Sequence, residues 1–115
     1  MNWNNKKVLV TGGASFIGSH LCEQLVQRGA NVRVAENFSS GERGHLAHIE
    51  CEAFEGDLLD PSFCDIATKG MEVVFHLAAD HGGRGYIDSH PVECSTNMIL
   101  DGQVFRHAHR NGVEK

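Results

Sequence analysis

The stretch Val8-Leu9-Val10-Thr11-Gly12-Gly13-Ala14-Ser15-Phe16-Ile17-Gly18-Ser19-His20-Leu21 leaves few folds open to this chain. Three apolar residues come first, then a run of small ones, then an apolar pattern at helical spacing. That order predicts a buried strand, a tight turn and a helix start. The free N–H groups and the positive dipole end of that helix would face an anion beyond the turn. Gly12, Gly13 and Gly18 match the dinucleotide-binding fingerprint, in which glycines let the backbone approach a pyrophosphate. Ser15 stands where a second glycine of that fingerprint normally sits. A plain strand-to-helix turn is the alternative reading. A nucleoside-triphosphate phosphate loop is disfavoured, because no Gly-Lys-Ser/Thr follows to hold phosphate and Mg²⁺.

The remaining chain alternates strands with helices. Residues 6–11 form the first strand. The helix after it runs to about residue 28, with Ile17, Leu21 and Leu25 at four-residue spacing and Cys22 and Val26 widening the stripe. Gly29 is placed to end it as C′. A second strand spans 32–36, a loop 37–41, a short helix lies within 42–49, and a third strand spans 51–54. Asp60-Pro61 supplies an N-cap followed by proline at the first helical position, and that helix ends near residues 69–70. The fourth strand is 73–77, a long glycine-containing loop follows over 78–90, and Pro91 opens a last helix ending near residues 111–112. Such alternation predicts an α/β fold: an open parallel sheet with helices on both faces.

With 115 residues the chain suffices for one domain. A net charge of −5 gives no general attraction for nucleic acid or an anionic membrane. No apolar run approaches the ~20 residues of a membrane span, and residues 1–7 lack the apolar core of a signal peptide, so a cytoplasmic location is expected. The four cysteines, Cys22, Cys51, Cys64 and Cys94, form no Cys-x-x-Cys pair and read as reduced thiols, and no metal ligand set is expected. The eight histidines read as solvated surface residues.

In open parallel sheets ligands bind beyond the carboxyl ends of the strands, and the unusual residues fall there: the glycine turn, Glu36-Asn37, Asp57-Leu58 and Ala78-Ala79-Asp80. Glu36 is placed to accept hydrogen bonds from the adenosine ribose hydroxyls, and its charge opposes a 2′-phosphate, which favours NAD over NADP. A solvated loop acid is the alternative, and Arg33 and Arg43 nearby keep NADP open. Asp57 could accept from an adenine amino group or serve as a turn carboxylate. On a helical wheel Asn97 lies within an arc of Cys94, Met98, Leu100, Val104, Phe105 and Ala108. A buried amide there needs a partner that a cofactor could supply, although Asp101 shares the arc and points to a partly wet face.

Together these residues resemble the extended short-chain dehydrogenase/reductase family, in its NAD-dependent nucleotide-sugar epimerase/dehydratase branch. Residues 11–21 look like the family's TGGxGFIGSHL. Glu36-Asn37-Phe38-Ser39-Ser40-Gly41 looks like its D-N-x-S-x-G ribose loop, Gly56-Asp57-Leu58 like its adenine-side G-D-[LIV], and Val74-Phe75-His76-Leu77-Ala78-Ala79 like its V-[FI]-H-x-A-A strand. Asn97 falls at the family's asparagine after the following loop. The resemblance implies a Rossmann-type sheet of about four strands in the order 3-2-1-4. It implies NAD held by Gly12, Ser15, Phe16, Ile17, Gly18, Glu36, Asn37, Asp57, Leu58, Leu77, Ala78, Ala79 and Asn97. A nucleotide sugar would be the substrate and transient hydride transfer to NAD the reaction. Residues 79–87 are similar to the corresponding loop of GDP-mannose 3,5-epimerase-like members, which implies that Gly82 and Gly83 lie beside the sugar. Ser15 and Glu36 depart from the family's glycine and commoner aspartate. The family also uses a Ser/Thr and a Tyr-x-x-x-Lys pair; the single tyrosine here, Tyr86, is followed four residues later by His90. The expectation is therefore the N-terminal part of such an enzyme, residues 1–115, with no catalytic residues. Its fourth strand would be an exposed edge that favours self-association. A non-catalytic NAD-binding or regulatory module, or a decayed fragment, is the alternative.

Overall fold

The computed structural model describes residues 1–38, 41–79 and 84–115. Four strands, β1 (Lys7–Thr11), β2 (Asn31–Glu36), β3 (Glu52–Glu55) and β4 (Val73–His76), form one sheet in the order β3-β2-β1-β4, all neighbours parallel. Val8, Leu9 and Val10 of the central strand are fully buried, as a strand covered on both faces requires. On one face α1 (Phe16–Gln27) packs through Cys22 and Leu25 against Val8, Val10, Val32 and Val34. On the other, α2 (Pro61–Thr68) and α5 (Asn97–Arg110) enclose Leu9, Ala35, Leu58, Cys64, Ala67 and Val104. The expected class and strand order are those observed.

Local signals explain the helix ends. Asp60 caps α2 by accepting from the Ser62 N–H at 3.0 Å, with Pro61 in the first turn. Gly29, at φ +90°, follows α1 in a conformation that side chains disfavour. The short helix expected within 42–49 is a single 3-10 turn, Arg43–Leu46.

Four expectations are corrected. The segment 78–90 is not all loop, because Arg84–Ser89 forms the short helix α3. The last helix is divided at Thr96 into α4 (Pro91–Ser95) and α5. The buried face of α5 is only part of the predicted arc: Val104 is buried, with His107 beside it, but Met98 and Phe105 are 80% and 71% exposed. Packing against α2 selects that face. Asn111 Nδ2 lies 3.1 Å from Asp65 Oδ1 and 2.9 Å from Thr68 Oγ1, and Leu100 and Val113 join the core shared with α2. In α1, likewise, Ile17 is exposed and the buried stripe runs through Gly18, Cys22 and Leu25.

The β4 edge is not wholly open. Residues 114 and 115 run beside its start, with the Glu114 N–H donating to Glu72 O at 2.9 Å and the Val74 N–H to Lys115 O at 2.8 Å. Beyond Val74, a groove lined by His76, Phe105 and Ala108, among others, borders this edge. Among the described residues no helix is long and apolar enough to cross a membrane.

Candidate functional site

The turn after β1 is held by its own polar groups. Gly12 takes φ +69°, and a Cβ there would press on the backbone of Ala78 at 3.0 Å. Gly18 faces the same turn across α1, where a Cβ would meet Gly13 Cα at 2.9 Å and also the Gly12 carbonyl. The first turn of the helix thus lies directly on the strand exit, which only glycine permits. Ser15 is the N-cap of α1: its hydroxyl accepts from the Gly18 N–H at 3.1 Å and donates to Gly12 O at 2.8 Å. The side chain that replaces the fingerprint's glycine is turned back onto the turn. Phe16 and Ile17 begin α1 with exposed side chains.

Thr11 joins this turn to the end of β4. Its buried Oγ1 accepts from the Leu77 N–H at 2.9 Å and the Ala78 N–H at 3.1 Å. With both lone pairs engaged, the hydroxyl proton goes to His76 Nδ1 at 2.7 Å. That fixes the ring proton on Nε2, which donates to Asp101 Oδ1 at 2.7 Å. One chain of hydrogen bonds therefore runs from the turn, through β4, to α5.

Glu36, last residue of β2, is only 7% exposed. Burial pushes its carboxyl above the ordinary glutamate range, opposed by hydrogen bonds from the backbone N–H groups of Asn37 and Ala14. Gly41 packs against Glu36 Oε1, leaving no room there for a Cβ. The Ala14 carbonyl accepts from the Glu42 N–H at 3.1 Å and from His45 Nδ1 at 2.7 Å. The end of β2 and the segment after it are thus tied to the glycine turn, one through each polar group of Ala14.

Beyond the carboxyl ends of β2, β3 and β4 lies a cleft of about 380 Å³. Glu36, Asn37, Asp57, Leu58, Ala78, Ala79 and Asn97, all nominated from sequence, line it. Asp57 Oδ1 also accepts from the Leu59 N–H at 2.9 Å, so its turn role is real while it borders the cleft. Gly12, Ser15, Phe16, Ile17, Gly18 and Leu77 do not line this cleft; they build the adjoining turn and the β4 exit. Gly82 and Gly83 lie outside the described residues. Sequence reasoning missed Tyr86, Thr96 and Leu100 as lining residues. The Tyr86 ring stacks on His90 at 4.0 Å between centroids.

The surface reading of the histidines is corrected as well. His107 is buried and donates through Nδ1 to Gln103 O at 2.9 Å, His45 is bonded to the turn, and His76 stands inside the network. The two nearby arginines also separate. Arg33 donates from one guanidinium nitrogen toward Ile66 O, Ala67 O and Lys69 O at 2.9–3.3 Å and pairs with Glu52 at 2.5 Å, which places it at the C-terminus of α2. Arg43 pairs with Glu55 at the end of β3. The four cysteines are free thiols, with Cys22 and Cys64 buried.

The site's geometry agrees with comparisons to known proteins. Residues 8–115 match the NAD dependent epimerase/dehydratase family. GDP-mannose 3,5-epimerase of Arabidopsis thaliana is 33% identical over 114 residues, which is 96% of this chain and 29% of that protein. UDP-glucuronic acid decarboxylase 1 of Danio rerio is 32% identical over 100 residues, 84% of this chain and 23% of that one. Among solved structures, an epimerase from Methanothermobacter thermautotrophicus superposes with a TM-score of 0.86 at 33% identity, over 96% of this chain and 34% of its own. The UDP-glucose 4-epimerase of Thermus thermophilus, solved in complex with NAD, gives 0.82 at 32% identity, over 92% and 34%. The chain thus spans 23–34% of the length of these relatives. The turn, the strand order and the family match agree: this chain belongs to the NAD dependent epimerase/dehydratase family.

Proposed function

We propose that residues 1–115 bind the adenosine and pyrophosphate portion of NAD, as the N-terminal part of an NAD-dependent nucleotide-sugar epimerase or dehydratase. One observation carries this reading. Seven residues nominated from four separate stretches of sequence converge on a single cleft beyond the strand ends. The glycine turn adjoins that cleft, and its close backbone approaches leave no space for Cβ atoms at Gly12 and Gly18. Glu36 and Asn37 would hold the adenosine ribose, Asp57 and Leu58 the adenine, and the turn with the N-terminus of α1 the pyrophosphate. Ala78, Ala79 and Asn97 close the opposite wall. When bound, NAD supplies a reversible hydride acceptor to the sugar chemistry.

For this chain the function proposed is binding rather than turnover. Its only tyrosine, Tyr86, is stacked on His90, and no Tyr-x-x-x-Lys occurs in the 115 residues. The second reading is a non-catalytic NAD-binding or regulatory module. Gly82 and Gly83 remain nominated for the sugar side, and self-association would use the β4 edge beyond Val74. The test is titration of the chain with NAD, ADP-ribose and the nicotinamide mononucleotide half, followed by amide NMR. The expected result is matching shifts at Gly12, Gly18, Asn37, Asp57 and Asn97 with NAD and ADP-ribose, and none with nicotinamide mononucleotide. Shifts confined to other residues would overturn the assignment. An assay of NADH absorbance with nucleotide sugars distinguishes the two readings in any longer form of the protein.

A further inference from the structure

The strands β2 and β3 end side by side, with Glu36 and Glu55 as register partners. Their two carboxylates are used differently. Glu36 is buried and takes backbone N–H groups, whereas Glu55 is largely exposed and forms an ion pair with Arg43. The Arg43 guanidinium also lies over the ring of Phe38, 4.1 Å from its centroid. Phe38 itself is held at φ +59°, in the left-handed region that a bulky residue rarely adopts. Arg43 is thereby anchored to a residue two positions beyond Glu36 and to Glu36's neighbour in the sheet. A cation stands at the end of β3, beside the strand that ends in Glu36, and it is already engaged.

An unpaired arginine in that place would favour a phosphate on the ribose, because a guanidinium binds phosphate through paired, charge-assisted hydrogen bonds. Arg33, the other cation near β2 in sequence, is committed to the carbonyls ending α2. An exposed ion pair adds little to stability, so its main consequence is for the charge that a ligand meets. We propose that Glu55 is a specificity-determining residue for the cofactor. By occupying Arg43 it withholds the guanidinium from an adenosine 2′-phosphate and so acts with Glu36 in selecting NAD over NADP. This rests on the reading that the adenosine ribose is held at Glu36.

The test is a set of four chains, the natural one, Glu55→Gln, Arg43→Gln and the double variant, each titrated with NAD and NADP at two salt concentrations. Glu55→Gln is expected to raise the NADP-to-NAD affinity ratio by roughly 2–5-fold, the range of one exposed ion-pair contact. The gain should shrink with salt and vanish in the double variant. Arg43→Gln alone should leave the ratio near that of the natural chain. An unchanged ratio in Glu55→Gln, or a gain that persists without Arg43, would overturn the role of Glu55 while leaving NAD binding intact. Failure of the natural chain to bind NAD would overturn the functional reading and this inference together.

Discussion

Replacing Thr11 by valine keeps the shape of a fully buried side chain and removes one oxygen that makes three hydrogen bonds. The losses are unequal. The Leu77 N–H retains the Thr11 carbonyl at 3.2 Å, so its cost is small. The part-buried Ala78 N–H loses its acceptor, at a cost of about 1–3 kcal/mol. His76 Nδ1 loses its donor, worth ~1 kcal/mol. The sum is about 2–4 kcal/mol. In a domain of this size each kcal/mol lowers Tm by ~4 °C, so the midpoint should fall by about 8–16 °C. Thr11→Ser keeps the hydroxyl and loses one methyl group, about 1 kcal/mol. Urea and thermal denaturation of both variants give the comparison, and ¹⁵N NMR of the imidazole reports which nitrogen of His76 carries the proton. A Thr11→Val chain no less stable than Thr11→Ser would refute the reasoning, as would a ring proton found on Nδ1 in the natural chain.

Gly18→Ala should force α1 away from the turn, because the new Cβ meets the backbone of Gly12 and Gly13 as well as Ser15 Oγ, and the backbone atoms cannot swing aside. Denaturation should show a loss of about 1–3 kcal/mol, with weaker NAD binding in the same samples. Glu36→Gln tests burial of a charge: the native carboxyl titrates above its unfolded value, so its contribution to stability is present at low pH and lost as pH rises through the folded-state pKa. The variant should therefore gain on the natural chain toward neutral pH and converge with it in acid, and parallel Tm-against-pH curves would contradict this. Burial pushes the thiols of Cys22 and Cys64 up to about 12 and about 11, so alkylation at pH 8 followed by mass spectrometry should modify them only after unfolding. Equal labelling rates with and without urea would count against it.

The parts of the fold legible in the sequence are those fixed by local chemistry. Val8-Leu9-Val10 can only be a strand buried on both faces, Asp60-Pro61 is a helix start whatever follows, and Gly29 ends α1 at a positive φ. The misreadings concern rotation and breaks, which neighbours decide. Four-residue spacing in α1 allowed a stripe through Ile17. The close approach at Gly18 turns the helix so that Gly18, Cys22 and Leu25 face the sheet instead. In the last helix the apolar residues outnumber what one face can bury, and contact with Asp65 and Thr68 of α2 selects Val104 and His107 over Met98 and Phe105. The site residues were nominated through strand-end positions and motif order. The ties between them were not, because Thr11, His76 and Asp101 are far apart in sequence and meet only when β1 and β4 pair.

Those ties bear on how binding would work. Several polar groups at the turn have a partner before any ligand arrives. Gly12 N–H donates to Ala35 O, Gly12 O accepts from Ser15, the Ala14 N–H goes to Glu36, and Ala14 O takes Glu42 and His45. A flexible glycine-rich turn would have to be ordered by its ligand, and that ordering would subtract from affinity. Here the ordering is done by residues of β1, β2 and the segment after β2, so the glycines supply close approach without supplying freedom. The Ser15 substitution fits the same logic. Its hydroxyl adds one more internal contact to the turn, at Gly12 O, and takes up the Gly18 N–H that an anion at the helix start would otherwise reach. The turn is thereby stiffened at the expense of one donor. Any pyrophosphate bound there depends on the remaining N–H groups of the first helical turn, with Phe16 and Ile17 at its exposed rim.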